Sequence, residues 1–167
     1  MHIRTANISD IKALTSLMEQ LGYPMTEDQM TGRLQALAVH PSYHTLVAEM
    51  DGHVVGMAGL CQSLFYEHDG CYVRIQAFVV DAQYRRKGIG QKLLEAIECW
   101  AVEQGASAIV LNSGEAERIP RSRRIIPRNR AKQPQEQRNR AERNAVHQFY
   151  KQHGFVEKST GFSKKLQ

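Results

Sequence analysis

Apolar positions along this chain alternate between a period of two and a period near 3.6, and the changes mark out its elements. His2 to Thr5 predicts a short first strand. Ile11, Leu14, Leu17, Met18 and Leu21 then share one helical face, with Ser9 or Asp10 as the cap. Gly22-Tyr23-Pro24 stops that helix. Thr26 opens a second, with Glu27 and Asp28 in its first turn and Met30, Leu34 and Leu37 on its buried side. His44–Met50 and His53–Cys61 read as strands joined by Asp51-Gly52, a strong hairpin signal. Gln62 to Gly70 is a polar connection in which Tyr66, Glu67, His68 and Asp69 cluster. Cys71 to Asp81 predicts a long central strand. Ile89, Leu93, Leu94, Ile97, Trp100 and Ala101 fall at helical spacing after it, and Gly105 stops this helix behind Gln104. Ala108 to Asn112 is short and apolar enough for a buried strand, so the strand-helix-strand unit should be a right-handed parallel crossover. A last helix is expected from Arg143 or Asn144 to His153. A strand beginning at Phe155-Val156-Glu157 and an antiparallel partner over Thr160 to Leu166 should follow.

The turn between the central strand and the long helix carries the clearest chemistry. Gln83-Tyr84-Arg85-Arg86-Lys87-Gly88-Ile89-Gly90 is basic and contains two glycines where the helix begins. The first N–H groups of a helix lack internal partners and lie at the positive end of its dipole, so they can hold phosphate. Glycine lets the backbone approach the anion, and three cations add attraction. A solvated basic turn before a glycine-tolerant helix start has the same pattern. The Gly-x-x-x-x-Gly-Lys-Ser/Thr arrangement of nucleoside-triphosphate enzymes is absent from this turn.

Arg85-x-x-Gly88-x-Gly90 behind Phe78-Val79-Val80 resembles the acetyl-CoA-binding signature of the GCN5-related N-acetyltransferase (GNAT) family. Asn144-Ala145-Val146-His147-Gln148-Phe149-Tyr150-Lys151-Gln152-His153-Gly154-Phe155 resembles that family's later helix with its closing Gly-Phe. The resemblance implies an α/β (α+β) fold: a mixed, mostly antiparallel sheet of six to seven strands flanked by about four helices. It also implies acetyl transfer from acetyl-CoA, a cosubstrate, to a primary amine, with no metal. Backbone N–H groups of Arg86, Lys87, Gly88, Ile89 and Gly90 would grip the diphosphate, helped by the side chains of Arg85 and Lys87. Phe78, Val79 and Val80 would pair with the pantetheine arm and polarise the thioester, and Asn144 would bind the arm. Tyr150 would protonate the leaving sulfur; a phenol with a pKa near 10 suits that role because it stays protonated at neutral pH. Tyr23, Glu67 and His68 are substrate-pocket candidates. Glu67, His68, Asp69 and His147 are candidate bases by location, and none is assigned.

Composition adds one correction to this outline. The chain has 167 residues and a net charge of +5, but nine cations lie between Ile119 and Arg143 against Glu136 and Glu142 alone. That segment carries +7 and the remainder −2, so the main part of the chain is mildly acidic. Such a body favours a small cationic acceptor amine. The resemblance implies a short loop where thirty-one residues separate Asn112 from Asn144. Ala116-Glu117-Arg118 recurs as Ala141-Glu142-Arg143, so residues 117–143 read as an arginine-rich insertion flanked by a duplicated triplet, within a single domain spanning 1–167. Its few apolar residues cannot offset the entropy of ordering. Such an arm could engage RNA or another polyanion, which sustains a second reading as a degenerate acyl-CoA-binding module. Cys61, Cys71 and Cys99 are odd in number and lack metal-ligand spacing, which suits a reducing cytoplasm. No apolar run is long enough to span a bilayer, and no signal segment opens the chain. Acceptor identity and oligomeric state, a homodimer included, stay open.

Overall fold

A computed structural model describes residues 1–111 and 144–156. The expected insertion at 117–143 and the expected strand over 160–166 lie outside the described residues. The first unit of the chain, Met1–Asn112, holds strands β1 (His2–Thr5), β2 (Tyr43–Met50), β3 (His53–Leu64), β4 (Cys71–Val80) and β5 (Ala106–Leu111). Its helices are α1 (Ile11–Gln20), α2 (Glu27–Ala38) and α3 (Ile89–Glu103). The strands form one sheet in the order β1-β2-β3-β4-β5; β4 and β5 are parallel and the other neighbours antiparallel. In the second unit, Ser113–Gln167, residues 144–152 form a further helix, α4.

This is the expected mixed sheet with four helices, but five strands are present among the described residues rather than six to seven. Phe155 and Val156 do not open a strand. Gly154 leaves α4 at φ 81, and the Phe155 N–H closes the helix by donating to the Tyr150 carbonyl at 3.1 Å. Two other boundaries move. α1 is entered through a 3₁₀ turn over Ile8–Asp10 that Asn7 caps; Asp10 stands at the expected N-cap position of α1 but makes no side-chain cap bond there. Asp10 closes the capping box by accepting from the Asn7 N–H at 2.8 Å. β3 runs on past Cys61 to Leu64 because Gln62, Ser63 and Leu64 pair with Val73, Tyr72 and Cys71, so a polar stretch belongs to a half-exposed hairpin.

Each face of the sheet packs on different helices. Val47, Met57 and Val79 are register partners across β2, β3 and β4, and all three join Leu14, Leu17, Met30 and Leu34 in the core beneath α1 and α2. On the opposite face α3 buries Ile89, Leu93, Leu94 and Ile97. It approaches β3 so closely that a Cβ on Gly56 would stand 3.2 Å from Leu93 Cδ1 and 3.2 Å from the Val79 carbonyl oxygen. Arg4 ties the outer strands to α1: it donates twice to Asp10 (2.7 and 2.8 Å) and once to Glu49 (2.8 Å). Those bonds hold the buried Asp10 carboxyl below the usual carboxylate range.

β4 contains a bulge that matters for the site. Gly59 pairs with Ala77 but Leu60 pairs with Ile75, which leaves Gln76 as the extra residue. Side chains therefore change face there. Val79 and Ala77 lie under α1 and α2, whereas Ile75, opposite Leu60, lies on the α3 face.

Candidate functional site

The backbone leaving β4 is tied down from two directions. The Asp81 N–H donates to the Val55 carbonyl at 2.9 Å, and the Asp81 carboxylate caps the following 3₁₀ turn, Ala82–Tyr84, through the Gln83 N–H at 2.8 Å. Gln20, the last residue of α1, clasps the same turn. Its amide nitrogen donates to Asp81 at 2.9 Å and its amide oxygen accepts from the Ala82 N–H at 2.9 Å. Arg85 then donates from Nε to the Val80 carbonyl at 3.3 Å, folding the turn back on the strand end.

Past this clasp the chain twice enters the left-handed region, at Arg86 (φ 64) and Gly88 (φ 80). That conformation costs a non-glycine residue roughly 1–2 kcal/mol, so the fold holds Arg86 there against its preference. Alternation of this kind gathers successive N–H groups into an anion-binding concavity. Gly88 is the N-cap of α3 and offers no side chain to satisfy the helix start. The first helical bond runs from the Lys92 N–H to the Gly88 carbonyl at 3.1 Å, so the N–H groups of Ile89, Gly90 and Gln91 precede the ladder. Ile89 is 1% exposed and pinned over Gly56, which fixes the direction of those groups. Arg85, Arg86 and Lys87 are exposed, and none forms an ion pair with a described residue. Lys87 rests 4.8 Å from the Tyr84 ring centroid. The result is a rigid, cation-rimmed set of donors suited to a diphosphate.

The other residues singled out in the sequence fall in three places. Phe78, Val79 and Val80 form the end of β4 that feeds the turn; Val79 is buried under α1, and Val80 pairs with Gly56. Tyr23, in the connection after α1, is half exposed, with its N–H bonded to the Met18 carbonyl at 2.9 Å. Glu67 and His68 sit in the hairpin tip between β3 and β4, where His68 packs 4.1 Å from the Phe65 ring. From Gly70 to Phe78 the strand covers roughly 26 Å at about 3.3 Å per residue, so the fold does not bring Glu67, His68 or Asp69 to the end of β4. In the second unit, Asn144 and Tyr150 lie on α4 with Asn144 exposed. Tyr150 contacts the rings of Phe149 (5.4 Å) and Phe155 (5.5 Å), and burial pushes its phenol up to about 12. A cleft of about 120 Å³ between α2 and Tyr43–Thr45 of β2 shares no residue with the turn. Among the described residues no group of three His, Cys, Asp or Glu side chains could hold a metal, and no helix is long and apolar enough to cross a membrane.

The family model for the Acetyltransferase (GNAT) family matches residues 11–119, from the start of α1 through the turn and β5. The chain belongs to the GNAT acetyltransferase family. An IAA acetyltransferase of Azospirillum brasilense is 33% identical to this GNAT chain over 108 residues, 61% of this chain and 67% of the relative. A GNAT family acetyltransferase of Staphylococcus aureus has a TM-score of 0.72 at 29% identity, covering 99% of this chain and 98% of its own. A structure described as a putative acetyltransferase from Agrobacterium tumefaciens, 20% identical, shares the fold with a TM-score of 0.75 over 99% and 100% of the two chains. Asn144 and Tyr150 lie beyond the residues that the family model matches.

Two parts of this GNAT site escaped the sequence reading. Gln20 meets the turn across sixty-one positions, and nothing in the local pattern of α1 marks it. Gly56 did carry a signal, since an isolated glycine inside an apolar strand marks a close backbone approach.

Proposed function

We propose that the chain is an acetyl-CoA-dependent N-acetyltransferase that moves an acetyl group to a primary amine on a small molecule. The observation that carries this reading is the turn from Val80 to Gly90, with Arg86 and Gly88 at positive φ and no side-chain cap on α3. The N–H groups of Arg86 to Gly90 hold the diphosphate, and the side chains of Arg85, Arg86 and Lys87 neutralise its charge. Phe78, Val79 and Val80 bind the pantetheine arm along the backbone, one of their N–H groups polarising the thioester carbonyl, and Asn144 holds the arm. Acetyl-CoA, when bound, supplies an activated acyl group. A polarising N–H is worth most when it meets charge that develops only as the amine attacks.

Transfer forms a C–N bond and breaks the C–S bond. Tyr150 gives its phenolic proton to the leaving sulfur and regains one from solvent, while the surplus amine proton passes to water. No side chain is assigned as base. With its pKa at about 12, Tyr150 is still almost wholly protonated at pH 10, so ionisation of the amine alone should shape the rate below that point. The charge of −2 outside residues 119–143 favours approach of a cationic amine.

Calorimetric titration with CoA, followed by free-thiol release across a panel of amines, tests the reading. CoA that fails to bind sinks it. Binding without transfer to any amine supports the acyl-CoA-binding module instead. Tyr150→Phe should lower kcat about 100-fold with CoA affinity unchanged, the usual scale for a lost general acid. An unchanged kcat removes that role from Tyr150.

A further inference from the structure

We propose that the acceptor carries an oxyanion, a carboxylate or a phosphate, in addition to its amine, and that Arg74 reads it; this rests on the acetyl-transfer reading above. The bulge at Gln76 sets where Arg74 lies. Ile75 pairs with Leu60 on the α3 face, so Arg74, opposite Cys61, takes the other face, the one covered further along by α1 and α2. There it is half-buried in mid-strand, with β3 on one side and Val110 of β5 on the other.

No carboxylate answers it among the described residues. Its register neighbours on that face are neutral: Cys61 directly across, Tyr43 beyond Cys61, and Ser63 opposite Tyr72 in the next row. Cys61 is already engaged, its thiol donating to the Gln62 carbonyl at 3.5 Å and lying 4.0 Å from the Ser63 hydroxyl. Arg74 has instead an aromatic support, with its guanidinium carbon 6.0 Å from the Tyr72 ring centroid and Tyr72 backed by Phe65 at 5.0 Å. A guanidinium laid against a ring loses little of its donor capacity, because its N–H groups point outward in the plane and stay free to grip an oxyanion with two bonds. Withdrawing an arginine partly from water with no acid beside it is costly, and a bound anion removes that cost.

The placement also suits an acceptor. Arg74 lies four residues from Phe78, about 13 Å along the strand, a gap that a long side chain and a small molecule fill together. An amine presented at the end of β4 and an anion held at Arg74 would orient the molecule for attack. The acceptor is then zwitterionic, its amine suited to the mildly acidic body and its anion to Arg74.

The test uses matched acceptors: an amino acid against its methyl ester, and phosphoethanolamine against ethanolamine, with kcat/KM read by free-thiol release. The full chain should favour the anionic member of at least one pair by about 10- to 100-fold, the scale of hydrogen bonds to a charged group, and the pair with the larger ratio identifies carboxylate or phosphate. Arg74→Met should abolish the preference through KM while leaving CoA affinity unchanged, and Arg74→Lys should keep part of it. Equal rates within both pairs, or a preference that survives in Arg74→Met, overturns the inference. Because CoA titration is independent of the acceptor, failure of CoA to bind would count against the parent reading, whereas binding and transfer without anion preference would count against this one alone.

Discussion

The two ends of β4 are built for different purposes. At Val80 the chain passes into a turn clamped by Gln20, bent through two left-handed residues and delivered to the buried start of α3. At Cys71 it emerges from a hairpin tip where Leu64, Tyr66, Glu67, His68 and Asp69 are exposed and Phe65 makes chiefly aromatic contacts with His68 and Tyr72. By residue type the hairpin tip is the richer in catalytic groups, with an acid, an imidazole and a phenol in sequence. By geometry it is the poorer, since among the described residues Glu67 bonds to the adjacent Tyr66 N–H and His68 Nδ1 lies 3.0 Å from the adjacent Asp69 carbonyl, rather than both facing a common centre. A site therefore consists of fixed donors with a common direction, and the first end has them through its backbone, where residue type hardly shows.

The sharpest way to break this contrast is to leave the charges of the turn alone and spoil its backbone. Gly88 adopts φ 80 and has nothing within 4 Å of where a Cβ would sit, so the penalty for a side chain is conformational rather than steric. Gly88→Val should weaken CoA binding by about 10- to 100-fold, from roughly 1–3 kcal/mol of local strain, with Arg85, Arg86 and Lys87 untouched. Calorimetry reads it directly. If affinity were kept, the cations rather than the N–H cradle would hold the ligand.

Next in size is the support beneath the helix start. Gly56→Val would push atoms against Leu93 and Ile89 and toward the Val79 carbonyl, and overpacking of this kind costs about 1–3 kcal/mol. Thermal or denaturant unfolding should show that loss. CoA affinity should fall with it, because the Ile89, Gly90 and Gln91 N–H groups are aimed by the contact. A smaller effect is expected from Gln20→Ala, which removes two hydrogen bonds worth about 1 kcal/mol each at most in an exposed setting. A loss of CoA affinity of about fivefold, with the unfolding midpoint little changed, would mark Gln20 as a positioning residue for the turn.

These effects also show which parts of the molecule were legible in the sequence. α1, α2 and α3 and four of the five strands were readable because each carries an uninterrupted period of 3.6 or 2; β5 was found but begins two residues earlier, at Ala106. The basic glycine turn was readable because glycine and charge are local. What was missed depends on pairing between distant segments. Gln62 and Ser63 look like loop until Val73 and Tyr72 are opposite them, and Phe155 looks like a strand until its N–H is committed to closing α4. The bulge at Gln76, which decides the face that Arg74 presents, leaves no trace in the order of apolar residues. Sequence patterns report burial well and register poorly, and the face of a residue past a bulge is a register question.

The smallest expected effect is the one that most directly tests whether residue type or placement defines the site. Glu67→Gln and His68→Ala each remove a group able to take a proton from an amine, and both side chains are exposed at the hairpin tip. Were either the base, kcat/KM would fall by the hundredfold or more typical of a lost general base, and the low-pH limb of the rate profile would change shape. From the far end of β4, roughly 26 Å from Phe78, neither can reach an amine attacking there. Both variants should hold kcat/KM within about twofold of the parent chain, since exposed substitutions away from the chemistry are usually close to neutral. A large fall in either would show that the reacting centre lies near the hairpin tip and would reverse the assignment of the two ends.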